Sequence, residues 1–167
     1  MPHRAPNLDE AMECRANEPI EALEIDNEYI RRNPFDPAGY FSRHLTWERL
    51  GEHQKALTDC NRVMQLESDS WNYFCRALIH RNLGDHMSAV ADFDRMRELD
   101  HEEWLTSFGP HFRADSLARI GRLDDALADC KFISDDHWMP EHSALPGGNK
   151  REFIEEIKRR ATVARRR

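Results

Sequence analysis

Nine histidines and four cysteines are the side chains that could do chemistry in this 167-residue chain, and their spacing decides which chemistry. There is no H-E-x-x-H run. His80 and His86 straddle a turn signal, and His101-Glu102-Glu103 falls between two periodic segments, so neither set has the spacing of a zinc ligand pair. The densest polar set is Asp135, Asp136, His137, Glu141 and His142. It offers oxygen and nitrogen ligands, but clustered polar residues in a loop are ordinarily just solvated, and no metal site is expected. Cys14, Cys60, Cys75 and Cys130 lie far apart with no C-x-x-C pair, which argues against a disulfide framework and leaves reduced thiols. Cys75 is the best candidate for a reactive thiol, yet no His is placed by sequence to activate it. Neither G-x-x-x-x-G-K nor G-x-G-x-x-G occurs, and Leu145-Pro146-Gly147-Gly148 has no strand before it. The expectation is a protein that is not an enzyme and binds no cofactor.

The elements that would position these residues repeat. Tyr40 to Cys60, Tyr73 to Phe93 and Pro110 to Cys130 superimpose without gaps, with glycines at Gly51, Gly84 and Gly121, alanines at Ala56, Ala89 and Ala126, and aspartates at Asp59, Asp92 and Asp129. In the first unit Tyr40, Leu45, Trp47 and Leu50 recur at helical spacing, Gly51 interrupts, and Ala56, Leu57, Cys60, Val63, Met64 and Leu66 resume it. That reads as helix, tight turn, helix, with the glycine taking the positive φ that closes the first helix and the alanine letting the second approach it. Each Arg of Arg43, Arg76 and Arg113 precedes its Asp by sixteen residues, which predicts an ion pair within each repeat.

These residues resemble the tetratricopeptide repeat (TPR), a helix-turn-helix unit of about 34 residues. The resemblance implies an all-α fold: a right-handed superhelical TPR solenoid of antiparallel helix hairpins with a C-terminal capping helix, in a single domain. Its parts would be a partial N-terminal repeat over 8–36, repeats over 37–69, 70–102 and 107–136, a linker over 137–148 and a helix over 149–167. The first helix of the partial repeat would be a shortened Leu8 to Ala16. The chain departs from the family at His44, where Gly or Ala is usual, at Pro110 in place of the aromatic, and at Ser68 and His101 in place of the terminal proline. Four extra residues near His101 to Trp104 lengthen the connection to the third repeat, and Pro110 fits only in a first helical turn.

By family geometry the first helix of each repeat lines a concave groove. The site residues this implies are Phe41, Leu45 and Arg49 in the first repeat, Trp71, Phe74, Leu78 and Arg81 in the second, and Phe108, His111 and Arg119 in the third. Phe41, Trp71, Phe74 and Phe108 would form an apolar patch rimmed by Arg49, Arg81 and Arg119, of the kind that marks a protein-interaction site. The competing reading is that several of these aromatics are core, or are covered by the C-terminal helix. The carboxylate clamp of the co-chaperone members is not expected, because the matching places hold Phe41, Leu45, Cys75, Phe108 and Phe112.

Asn149 with Glu152 predicts a capping box, and Phe153, Ile154, Ile157, Ala161 and Ala164 share one face of the helix that follows. From Asn149 onward there are eight Lys or Arg against three Glu, a balance of +5 that leaves -12 for residues 1 to 148. Docking within the chain or head-to-tail pairing of copies follows from the opposite signs. The acidic total of -7 argues against nucleic acid as a partner. No apolar run is long enough for a membrane span, and Met1 to Asn7 has no secretory apolar region, so a cytoplasmic protein is expected. The function expected is an adaptor or chaperone-like module that holds a partner peptide or helix in an apolar groove. The chain is also similar in size, repeat number and acidity to the small bacterial chaperones of secreted translocator proteins, without a motif unique to them. The alternative is a structural self-assembly unit, such as a homodimer, that uses the groove and the C-terminal helix.

Overall fold

The computed structural model describes residues 7–136, 138–139 and 148–166. His137, Glu141, His142, most of the expected linker and Arg167 lie outside the described residues. The described chain is helical almost throughout and gathers into two compact units, Met1–Ile79 and His80–Arg167.

The first unit holds α1 (Leu8–Cys14), α2 (Pro19–Arg32), α3 (Pro37–Arg49), α4 (His53–Leu66) and most of α5 (Ser70–Asn82). Prolines sit in the first turn of α2 and α3, where the missing N–H has no partner to lose. Asp36 caps α3 through the Ala38 amide at 2.9 Å, and its other carboxylate oxygen accepts from the Tyr29 hydroxyl at 2.6 Å, which fixes the entry to α3 against α2. Gly39 is required there: a Cβ would come within 2.8 Å of both Tyr29 and Ile30 side chains. The helices α2 and α3 can therefore pack closely.

The second unit holds the end of α5, then α6 (His86–Leu99), α7 (His101–Thr106), α8 (Gly109–Arg119) and α9 (Leu123–Asp129), a 3-10 turn over Cys130–Phe132, and α10 (Lys150–Ala164). Before α10, Trp138–Met139 pairs antiparallel with Gly148–Asn149, two residues a side. The connection that the sequence only lengthens is a helix of its own, α7, anchored by a fully buried Trp104. Trp104 lies edge-on to Phe132 at 5.3 Å and under the Arg97 guanidinium at 5.5 Å. Pro110 falls in the first turn of α8, as its chemistry demands.

All three turn glycines have positive φ, +73° at Gly51, +79° at Gly84 and +78° at Gly121. Each turn closes with the same two bonds. The glycine N–H donates three residues back, and the next N–H donates five back, as in Glu52 to the Trp47 carbonyl at 2.9 Å. Ala56, Ala89 and Ala126, placed after these turns, have no exposed surface. The ion pairs within repeats form at Arg43–Asp59, bidentate at 2.8 and 2.6 Å, and at Arg113–Asp129 at 2.6 Å. Cys60 and Cys130 are buried, and burial pushes the Cys130 thiol up to about 11, so it is an inert packing group.

The capping box at Asn149 and Glu152 is present, with bonds of 3.1 and 2.9 Å, and α10 runs from it along α8 and α9. Phe153, Ile157 and Ala161 insert among Ala114, Leu117, Ala118 and Ala126. Phe153 meets His111 near the start of α8, Arg160 pairs with Asp115, and Arg165 reaches the Gly121 carbonyl past its end. The two helices therefore run parallel, and α10 takes the place that the first helix of another repeat would occupy.

Candidate functional site

The predicted site residues divide between the two units. In the first, Phe41, Leu45 and Trp71 come together on the wall of one cavity of about 530 Å³. Phe41 and Leu45 are half-buried one turn apart on α3, and Trp71 in the first turn of α5 is 43% exposed. Trp71 stacks at 5.1 Å on Phe74, which is itself buried and supports the indole from beneath. Leu78 is half-buried and lies outside the cavity lining.

The floor is completed by residues that the groove assignment missed. α1 contributes Leu8 and Met12, four residues apart on one face, and Val63 comes from α4. The i, i+4 spacing of Leu8 and Met12 is the one signal that could have placed them. α1 is held in position by Arg15, whose Nε donates to Thr46 Oγ1 at 3.0 Å and whose Nη2 donates to Ser42 Oγ at 2.7 Å. Thr46 donates in turn to Asp26 at 3.0 Å, and burial raises the Asp26 carboxyl against the opposing pull of its hydroxyl and arginine neighbours. This polar network ties α1, α2 and α3 together directly behind the cavity wall.

His44, one turn along α3 from Phe41, is fully buried and meets that ring edge-on at 4.7 Å. Burial holds its imidazole down at about 4, so the ring is neutral and acts as packing.

The rim is acidic where a basic one was expected. Asp9, Asp36, Glu67 and Asp69 line the cavity, and Arg15, committed to Ser42 and Thr46, is the one lining cation among the described residues. Residues 1–79 carry fourteen Asp or Glu against nine Lys or Arg. Arg49 is turned to a different use: its Nη2 donates to the Ala16 carbonyl at 2.8 Å and fastens the α1–α2 connection.

The remaining predicted residues lie in the second unit, and α10 accounts for much of their fate. His111 is buried against Phe153 at 5.6 Å, and Asp115 and Ala118 on the same face of α8 have no exposed surface. Arg81 is buried as well, donating to Asp115 at 2.9 Å and to the Phe112 carbonyl at 2.7 Å. It is a structural cation and not an exposed rim. Arg119 leans on the same carboxylate through Nε at 3.0 Å. Phe108 is 44% exposed, in ring contact with His111 at 5.6 Å and Phe112 at 6.3 Å.

Among the described residues no group of three or more His, Cys, Asp or Glu is placed to hold a metal ion. Asp135 is exposed and pairs with Lys150 at 2.6 Å, and Asp136 accepts from Ser134.

No protein-family profile matches the chain, and no curated protein matches it in sequence. Solved structures do match. The crystal structure of YrrB, a TPR protein with an unusual peptide-binding site, superimposes with a TM-score of 0.65 at 15% identity over 75% of this chain. Two crystal structures of MamA superimpose at 0.67 and 0.66, with 12% and 14% identity over 75% and 76% of this chain. The chain has the tetratricopeptide-repeat fold. It spans 64% of the YrrB chain, just under two thirds of its length, and 68% and 76% of the two MamA chains. Within this TPR fold the cavity on α1, α3 and α5 offers Leu8, Met12, Phe41, Leu45 and Trp71 as a lining that suits an apolar side chain. No described helix is long and apolar enough to cross a membrane.

Proposed function

We propose that the chain is a non-catalytic protein-interaction module that acts in the cytoplasm and holds a peptide or helical segment of a partner, in adaptor or chaperone-like fashion. The observation that carries this reading is the cavity on α1, α3 and α5, where Phe41, Leu45 and Trp71 make an apolar wall large enough for one or two anchoring side chains. Trp71 is the natural hot spot, a large amphipathic ring backed by buried Phe74. The acidic rim of Asp9, Asp36, Glu67 and Asp69 selects the ligand's flanks: apolar anchors bordered by Lys or Arg suit it, and an acidic segment meets repulsion. The peptide-binding site of YrrB, a protein of the same fold, is consistent with such a role.

The test is selection from a random displayed peptide library on the full chain, repeated on Ala38→Arg and Trp71→Glu variants with unchanged circular dichroism. Enriched peptides should carry an aromatic or aliphatic pair beside basic residues and should bind either variant at least tenfold more weakly. Peptides that bind all three proteins equally would refute the groove. Self-association that both substitutions abolish would replace this reading with a self-assembly unit.

A further inference from the structure

The second unit contains a charge imbalance around one carboxylate. Asp115 on α8 is fully buried and accepts from three guanidinium groups: Arg81 at 2.9 Å, Arg119 Nε at 3.0 Å and Arg160 Nη1 from α10. Arg160 Nε also meets Glu156 at 2.7 Å, and Arg159 meets the same Glu156 twice at 2.6 Å. Around Asp115 three guanidinium groups thus meet one carboxylate, a local excess of positive charge. A buried carboxylate is stabilised by one or two such partners, and the third adds repulsion among the guanidinium groups.

The excess charge opens onto a space. Arg119, Arg159, Arg160 and His86 line a cavity of about 600 Å³, and among the described residues no acidic side chain lines it. Both terminal nitrogens of Arg119 and Nη2 of Arg160 have no acceptor among the described residues. Because Asp115 grips Arg119 through Nε, the two-pronged end of its guanidinium is held in a fixed orientation, the geometry in which arginine binds oxyanions in bidentate fashion. His86 adds a buried Nδ1 that has no hydrogen-bond partner. Burial and then the Arg119 charge lower its imidazole, against the opposing Asp115 and Asp85, so the ring is neutral and presents one N–H. The remaining wall is apolar, made by Ile120, Val163 and Ala164.

We propose that this cavity binds a phosphate monoester, its oxygens on the Arg119 and Arg160 guanidinium groups beside His86 and its carbon portion against Ile120, Val163 and Ala164. At pH ~7 a monoester carries about 1.5–2 negative charges, which suits this cationic lining. The volume exceeds what a bare phosphate fills, which leaves room for the group that carries it. The site is independent of the apolar cavity in the first unit.

The test is calorimetric titration of the full chain with inorganic phosphate, O-phosphoserine, a phosphoserine peptide and acetate. Saturable binding is expected for the three phosphates and at least tenfold weaker binding for acetate. Arg119→Gln should weaken phosphate binding tenfold or more, whereas Arg122→Gln, at an exposed arginine paired with Asp125, should not change it. In the unmodified protein the His86 ring resonances should move on addition of phosphate, a readout that does not depend on any variant folding. O-Phosphoserine as tight as the peptide identifies a small-molecule ligand. A peptide tenfold tighter identifies a phosphorylated protein segment. Equal response to phosphate and acetate, equal affinity in the two arginine variants, or unmoved His86 resonances would overturn the assignment.

Discussion

His44 carries the clearest single-residue consequence of the fold. Its imidazole is held at about 4, below the usual value near 6.5, so folding favours the neutral ring. The stability this contributes is complete above about pH 6.5 and is lost as the pH falls through 4, a loss of up to about 3 kcal/mol. Urea denaturation between pH 4 and 7 should show that decline, and His44→Gln should flatten most of it. An unchanged slope would mean that the ring is not buried as described. Arg113 makes a second case: it is buried and divides its guanidinium between Asp129 at 2.6 Å and Asp94 at 2.9 Å. Arg113→Met strands a buried carboxylate and should cost about 3–5 kcal/mol, of which Asp129→Leu in the same chain should restore a large part. The sixteen-residue interval made the Arg113–Asp129 pair legible in the sequence. The second partner, Asp94, belongs to α6 and the preceding repeat, and no regular spacing announces it.

At the scale of elements the repeat register was readable because it rests on local backbone chemistry. Gly51, Gly84 and Gly121 each take the positive φ that only glycine accepts easily, and the alanines at fixed offsets after them are all buried. What the sequence did not disclose depends on packing between distant segments. α7 looks like a lengthened loop until Trp104 is found in the core, and His111 looks like a groove position until α10 lies over it. The amphipathic face of α10 and its role as a cap on the third repeat were legible, and α10 does pack on α8 and α9; that its burial extends to His111 was not. Its anchor is Phe153, with 1% exposure, so Phe153→Ala should cost about 3–5 kcal/mol in urea unfolding. A loss below about 1 kcal/mol would show that α10 does not hold the end of the third repeat.

For the molecule as a whole, the TPR fold supplies stacked helices and leaves specificity to whatever lines its recesses. Three of the ten residues expected at the site, Phe41, Leu45 and Trp71, meet at the apolar cavity of the first unit, and the acidic residues around them reverse the sign of the rim expected from Arg49, Arg81 and Arg119. The reversal was hidden because arginine identity says nothing about commitment: Arg49 is spent on a backbone carbonyl and Arg81 on a buried carboxylate. On the proposed reading a partner segment enters this cavity. This is tested most directly by backbone amide NMR of the isotope-labelled full chain, titrated with a basic-flanked apolar peptide obtained from the library selection. The largest shifts are expected at Leu8–Arg15, Asp36–Leu45 and Glu67–Asn72, all weakened when Ala38 is replaced by Arg. Shifts confined to α8–α10, or left unchanged by that replacement, would contradict it.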